Sequence, residues 1–475
     1  MSIITTRRDF VAWSAAALAP AWGAGQPLTH QATGVKIGEI TPASVRFWTR
    51  RTKASTRRAD GMRAAPGLKA TVLPLGTDLS TLEGSCPGDS GQLRVVVRNS
   101  AFKKVAASPW AEAKAEADFV QQFTIGGLAP ATPYRYTVET RGGSNKTDGT
   151  FSGVFRTAPA EDALVPVTVA MLSCQKYTQR DNDNGFLLYN SIARWAPQFM
   201  LSVGDNVYYD SDDPKVNHVA VARHHWHRMY SLPTLVECLR RTPGYWLKDD
   251  HDCYSDDCWP SYVDPAMAPF TFEEGRKLFP EQAPMGAQPY LRFRWGRGLE
   301  IFLLEGRDYR AGNPEPDRAG KSLWGAVQKQ WLLDGLNQSQ ARWKLIVSPG
   351  PLIGPDRLNK HDNHSNDAFR TEGREFRQWL AANSRVSDTV WVNGDRHWQY
   401  HSVDPDTKVN EFCCGAASDS HASGTPGEDP RLHRFHRVKG GFLAFEVRIT
   451  SGGKTELVIE HRDVAGQRVY GQTFA

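Results

Sequence analysis

Apolar runs in this chain are short, and several of them stop abruptly at residues that bind metals or phosphate. Val165–Leu172 (VPVTVAML) is apolar and rich in β-branched residues, which predicts a strand; it stops at Ser173-Cys174-Gln175. Pro166 lies at its start, where a strand tolerates proline. Gly185–Trp195 then places Leu187, Leu188, Ile192 and Trp195 at helical spacing, and Phe199–Val203 is a second apolar strand ending at Gly204-Asp205-Asn206. A strand–helix–strand unit of this length implies parallel strands with a right-handed crossover. Ligands of such sheets gather beyond the carboxyl ends of the strands, where Cys174, Asp205 and Tyr208 fall.

The same pattern recurs. Tyr245–Leu247 runs into Lys248-Asp249-Asp250-His251-Asp252, and Leu299–Leu304 into Glu305-Gly306-Arg307-Asp308-Tyr309-Arg310. Trp343–Val347 runs into Ser348-Pro349-Gly350-Pro351, and Thr389–Val392 into Asn393-Gly394-Asp395-Arg396-His397. Leu323–Leu336 is predicted as a helix with Gln328-Lys329-Gln330 on its polar face, and Phe442–Ile449 and Thr455–His461 as strands that complete the sheet. Six polar strand ends on one sheet edge describe a cleft.

Leu28 to about Thr157 reads differently, as short strands separated by Pro, Gly and Ser clusters. Gly34–Ile40, Ser44–Arg50, Leu68–Leu73, Gln92–Val97, Asp118–Ile125 and Tyr134–Thr140 predict an antiparallel β-sandwich. The loop Leu128–Tyr134 before Arg135-Tyr136-Thr137-Val138 is similar to the one preceding a late strand of a fibronectin-type sandwich. This region concentrates no chemistry, so its expected role is to shape one side of the cleft.

At 475 residues the chain exceeds a single core, and two domains are expected. A formal charge of +5 with no long basic run gives no nucleic-acid footprint, and no apolar run is long enough to span a bilayer. Thr6-Arg7-Arg8-Asp9-Phe10-Val11, the apolar stretch Ala12–Ala19 and the small residues Ala21, Gly23, Ala24 and Gly25 read as a signal peptide; the paired arginines point to the twin-arginine export machinery. A periplasmic or secreted location follows as the expectation. The competing reading is an amphipathic start to the first domain. The odd cysteine count of seven leaves at least one thiol free, with Cys174 the candidate, while Cys253 and Cys258 lie close enough to bridge.

Cys174, Asp205, Tyr208, Asp250, His251, Asp395 and His397 together supply thiolate, carboxylate, phenolate and imidazole. That mixture does not suit one metal: thiolate, phenolate and imidazole favour a transition metal such as iron, and carboxylates a hard cation such as calcium. Two ions together could hold a hydroxide nucleophile at neutral pH and neutralise charge on a phosphoryl group. Arg307, Arg310 or Arg396 could then bind phosphate oxygens.

Ser-Cys-Gln, Gly-Asp-x-x-Tyr, Asp-Asp-His-Asp, Arg-x-Tyr-Arg and Gly-Asp-Arg-His, in this order, resemble the alkaline phosphatase D (PhoD-like) branch of the calcineurin-like metallophosphoesterases. Phe47-Trp48-Thr49-Arg50, the Leu128–Tyr136 loop and the twin-arginine start are similar to that branch as well. The resemblance implies an α/β fold: a calcineurin-like metallophosphoesterase sandwich of mixed β-sheets flanked by helices, with an N-terminal fibronectin-like β-sandwich domain. The expected division is a signal peptide over 1–25, the β-sandwich over 26–158 and the catalytic domain over 159–475. It further implies an exported phosphomonoesterase or phosphodiesterase whose substrate is a phosphate ester, with Fe(3+) and Ca(2+) as cofactors. Cys174, Asp205, Tyr208 and His397 would form the iron shell, with Asp205 bridging. Asp250 and Asp395 stand where many dinuclear relatives carry Asn and His, which makes the second site all-oxygen. His251 would protonate the leaving group or stabilise the transition state, and Arg307 is a weaker candidate for binding phosphate.

Glu305-Gly306-Arg307 departs from the family's Asp-Thr-Arg. Asn359–Arg370 matches poorly, and reads either as a solvated loop or as a further cation site through Asp362, Asn366 or Asp367. His224-His225-Trp226-His227 falls in a predicted helix, where adjacent histidines diverge, so a surface or packing role is expected. Two other functions compete: a secreted ligand-binding protein with a degenerate metallo-domain, and a hydrolase using Cys174 as nucleophile.

Overall fold

The computed structural model describes residues 29–63 and 70–475. The segment expected to be a signal peptide lies outside the described residues, as do the first two residues of the strand expected at Leu68–Leu73. From 70 to 73 there is no strand, only an isolated bridge between Val72 and Lys215.

Three β-sheets are formed among the described residues. The largest has nine strands. Its centre is β9 (Val167–Leu172), β10 (Phe199–Val203) and β11 (Gly244–Leu247), all parallel. On one side follow β19 (Gly441–Ile449), β20 (Thr455–Asp463) and β21 (Arg468–Phe474); on the other β1 (Val35–Gly38), β2 (Val45–Arg50) and β6 (Val120–Ile125). The second sheet has seven strands: β12 (Leu291–Trp295), β13 (Leu299–Leu303), β14 (Trp343–Ser348), β15 (Thr389–Asn393), β17 (Asn410–Cys414), β16 (Gln399–Val403) and β18 (His433–Arg437), in that spatial order. Strands β13, β14, β15 and β17 are parallel.

Period-2 alternation explains how the two large sheets stack. In the second sheet Ile301, Leu303, Leu345, Val347, Val390 and Val392 join the core shared with the nine-stranded sheet. Their neighbours Phe302, Leu304, Ile346 and Trp391 face the other way, into a core with Leu332 and Leu336 of the helix Gly325–Gln338 and Phe376 and Leu380 of the helix Arg370–Ala382. Both faces of these strands are buried, which is why they read as unbroken apolar runs. The expected start of β9 at Val165 is trimmed to Val167, after Pro166, which has no N–H for the ladder. The crossover helix begins at Leu187 because Phe186 is extended. The helix expected at Leu323 starts at Gly325 after a left-handed turn, and Gln328 is buried, donating to and accepting from the Glu305 backbone. The placement of Gln328 on a polar face is thus corrected.

Strands β3 (Gly91–Arg98), β4 (Lys104–Ala107), β5 (Ala111–Ala113), β7 (Pro133–Arg141) and β8 (Gly149–Arg156) form the third, antiparallel sheet. It packs on β1, β2 and β6: Phe47 lies 4.9 Å from Tyr136 and 5.6 Å from Phe155, ring centre to ring centre. The N-terminal strands therefore make a sandwich, and one of its layers continues into the large sheet through the parallel pairing of β1 with β11. The strands that complete the sheet at the C-terminal end are β19, antiparallel to β9, and β20, with β21 added beyond them.

Candidate metal centre

The candidate ligands sit where parallel strands of both large sheets end. Cys174 follows β9, Asp205 follows β10 and Asp395 follows β15, and all three occupy the left-handed region, with φ of 55°, 53° and 59°. Non-glycine residues rarely adopt that conformation, and such backbone tends to cluster at functional sites. The glycine before each aspartate has a packing reason. A Cβ on Gly204 would come within 2.5 Å of the Asp249 Cβ, and one on Gly394 within 2.3 Å of Ser173 Oγ and 2.6 Å of the Val203 carbonyl oxygen. Gly394 thus lets the second sheet's strand end touch the first sheet's.

Two donor groups share Asp205, and a third, Asp250, Asp256 and Asp257, lies beside them. Cys174, Asp205 and His397 offer ligand atoms within 4.8 Å of one another, as do Asp205, Asp250 and His251. Tyr208 joins the first group: its hydroxyl donates to Asp205 Oδ2 at 2.8 Å and lies 3.5 Å from His397 Nε2. The Cys174 thiol donates to the same Oδ2 at 3.4 Å, while Asp205 Oδ1 is buried without a hydrogen-bond partner. Burial, reinforced by the Asp205 charge, pushes the Cys174 thiol and the Tyr208 phenol well above their ordinary values. Burial also raises Asp205. Donors that repel one another's ionised forms around an orphaned carboxylate oxygen are donors to which a cation would restore balance. The residues fit a metal.

Asp250 is held from both sides: Oδ1 accepts from the His251 backbone at 2.8 Å and Oδ2 from that of Asp257 at 2.6 Å. His251 lies against the Tyr208 ring, with Nδ1 2.7 Å from Asp210 Oδ1 and Nε2 3.6 Å from Asp256. Burial works against its protonation, yet Asp210, Asp250 and Asp205 together hold the imidazole well above its usual range. His397, by contrast, is pushed far down by burial and by His421, and presents a neutral imidazole.

Arg307 is buried, with Nε on Asp249 Oδ1 at 2.6 Å, Nη1 donating to the Cys258 carbonyl at 3.2 Å and Nη2 3.6 Å from Asp250 Oδ2. Through these contacts it braces the Asp249-Asp250 turn. Asp395 does not join either close donor group; Arg396, fully buried, grips it through Nη1 at 3.1 Å and Nη2 at 2.9 Å.

Several residues of the site escaped the sequence reading. His421, beyond the end of β17, packs 3.9 Å from the His397 ring and contacts the Cys174 carbonyl through Nδ1 at 3.0 Å. It stands past another parallel strand end, the one signal that could have found it. In Asn359–Arg370, Asp362 pairs with Arg396 at 3.2 Å and Lys360 with Asp256 and Asp257 at 3.0 and 2.7 Å. Asp362, Asn363 and His364 are buried, so the solvated-loop reading is wrong: the segment packs against the centre. His224, His225 and His227 lie buried in the helix Val219–Tyr230, His227 on Asp118 at 2.5 Å and His225 on the Pro214 carbonyl at 2.8 Å, a packing role as expected. All seven cysteines are free and buried, Cys253 and Cys258 included.

The model of the PhoD-like phosphatase family matches residues 169–438, more than half of the chain. The chain belongs to the PhoD-like phosphatase family. Alkaline phosphatase D of Bacillus subtilis (strain 168) is 23% identical over 292 residues, a match that spans 53% of this chain and about half, 48%, of that relative. In fold, this PhoD-like chain is similar to the solved structure of PhoD, with a TM-score of 0.69 at 17% identity over 94% of this chain and 89% of that one. It is also similar to the purple acid phosphatase PPD1 from yellow lupin seeds, with a TM-score of 0.60 at 11% identity over 92% and 73% of the two chains. The mixed-sheet sandwich of this PhoD-like chain is thus that of the calcineurin-like enzymes.

Proposed function

We propose that this protein is a metal-dependent phosphoric ester hydrolase of the alkaline phosphatase D type. The observation that carries the reading is the sharing of Asp205 between two donor groups of different chemistry at the strand ends of two sheets. Cys174, Tyr208, Asp205 and His397 suit a transition metal, with iron as the assignment; Asp205 and Asp250 suit a hard cation, with calcium as the assignment and Asp395, outside both close groups, as the further oxygen donor on that side. When bound, such ions supply Lewis acidity and an activated water or hydroxide as nucleophile.

The chain's own residues have distinct tasks. Asp205 spans the two donor groups. Asp210 accepts the Nδ1–H hydrogen bond of His251, which fixes the ring and leaves Nε2 to hand a proton to the departing alkoxide. Arg307 and Arg396 are positioning residues, the first for the Asp249-Asp250 turn and the second for Asp395. A Cys174 nucleophile is disfavoured, because its sulfur is fully buried and its thiol is pushed upward, the reverse of an activated thiolate.

The N-terminal arginine pair and apolar stretch support export to the periplasm or beyond by the twin-arginine route, and the N-terminal sandwich, one layer of which continues into the large sheet, walls the catalytic portion. No helix among the described residues is long and apolar enough to cross a membrane. Hydrolysis of a chromogenic phosphate ester by protein of known metal content tests the activity. Turnover that disappears on chelation and returns with metal supports the reading; absence of turnover with both ions bound overturns it.

A further inference from the structure

Beside bound metal ions, phosphate is drawn most strongly by a side-chain cation that is not already neutralised, and most cations around this cleft are paired. Arg307 is paired with Asp249, and Arg396 with Asp356, Asp362 and Asp395. Lys360 is held between Asp256 and Asp257, and Arg357 lies 3.8 Å from Asp356. Arg310 has no carboxylate partner among the described residues either, but it is buried and committed to Asn313 Oδ1 and the Asp362 carbonyl. Lys176 is different. It stands two residues beyond Cys174 and is half-buried, with its Nζ donating to Ser211 Oγ at 3.1 Å. No carboxylate lies within ion-pair distance of it among the described residues. The same Nζ sits 5.4 Å from the centre of the Tyr208 ring, whose hydroxyl enters the Cys174–Asp205–His397 donor group. Its charge also reaches His421, which packs on His397.

We propose that Lys176 binds a non-bridging oxygen of the substrate's phosphoryl group and biases the site toward phosphate monoesters over diesters. The inference rests on the phosphoric ester hydrolase reading above. A monoester is close to a dianion at neutral pH, with a second pKa of about 6, whereas a diester carries one charge. An unneutralised ammonium in a half-buried position favours the more highly charged ester, and Ser211 keeps the flexible side chain over the Tyr208 ring in readiness. Because Lys176 follows directly on the ligand-bearing turn, its position is tied to that of Cys174.

The test compares a monoester and a diester with the same leaving group, for wild type, Lys176→Met, Lys176→Arg and Ser211→Ala, with metal content measured for each. Inorganic phosphate is used as a competitive inhibitor. Lys176→Met is expected to lose roughly 10–100-fold in kcat/KM for the monoester, the range for a hydrogen bond to a charged group, and less than about threefold for the diester. The phosphate inhibition constant should rise in parallel, metal content should stay at the wild-type level, and Lys176→Arg should restore most of the loss. An equal fall for both esters, an unchanged phosphate constant, or lost metal in Lys176→Met and Lys176→Arg alike overturns the inference. Failure of wild type itself to hydrolyse either ester with metals bound overturns the underlying reading instead.

Discussion

At the scale of single residues, the centre is built from donors that are poorly matched to one another without a cation. Cys174 is the donor that most sharply separates the two groups. Cys174→Ser is expected to lower transition-metal content and to reduce turnover by about 10–100-fold, the usual cost of weakening a metal shell, while leaving the fold intact; metal analysis beside steady-state kinetics checks it. His251 should act on the rate and not on loading. Replacing it with Gln removes a proton donor, for which a loss of about 10²–10⁴ in kcat is expected with metal content retained. Asp210→Asn should give a smaller drop and a displaced pH–rate profile, since it leaves the ring in place without its charged partner. A fall in metal content equal to the fall in rate would assign His251 to the ligand shell instead.

At the scale of elements, the strand ends carry the design. Gly204 and Gly394 allow the turns after β10 and β15 to lie against Asp249 and Ser173, with no room for even one added carbon. Gly394→Ala should therefore cost about 2 kcal/mol or more of stability, because the neighbouring Val203 carbonyl belongs to backbone and cannot swing aside. Denaturant melts of the variant beside a surface Gly143→Ala control, where a Cβ meets nothing within 4 Å, measure it.

The same strand ends were legible in the sequence. Central parallel strands buried on both faces leave unbroken apolar runs, and the residue type at which each run stops is visible without coordinates. What could not be read depends on contacts between distant segments. The helix Arg370–Ala382 breaks its apolar positions with Arg370, Arg374 and Glu375, and β12 and β18 have few fully buried residues, so none of the three announces itself as an apolar run. Gln328 looks like a surface residue until the Glu305 backbone is placed beside it. Asp362 and Lys360 look solvated until Arg396 and the Asp256-Asp257 pair arrive, because a paired charge in the interior has the same letter as a free one outside.

At the scale of the whole molecule, the N-terminal strands are joined to the large sheet by pairing and by a buried ion cluster. Asp118 meets Arg50 at 3.1 Å and His227 at 2.5 Å, and accepts from Gln282 at 2.9 Å. Burial works against its ionisation, yet His227 and Arg50 hold the carboxyl below the ordinary range. A depressed carboxyl contributes stability that is present above its unfolded pKa, about 3.9, and lost as pH falls through the folded value. Asp118→Asn, which tolerates the left-handed backbone there, should be destabilised by about 3 kcal/mol near neutral pH. The gap to wild type should close below pH ~4. Thermal melts across pH measure both. Removing metal should lower stability too, by about 2.7 kcal/mol for an ion present at a hundred times its Kd, and the effect should depend on ion concentration.

Gly394 brings the edge of one sheet against Ser173 of the other, and Tyr208 and His397, 189 residues apart in the chain, meet across that junction. Closing so long a loop is entropically unfavourable until the intervening strands are in place. A captured ion is therefore a certificate of assembly: a chain in which either sheet is unfinished has half a binding site and no grip on the metal. Metal occupancy in a purified sample then counts the molecules that folded completely, independently of whether their substrate is known.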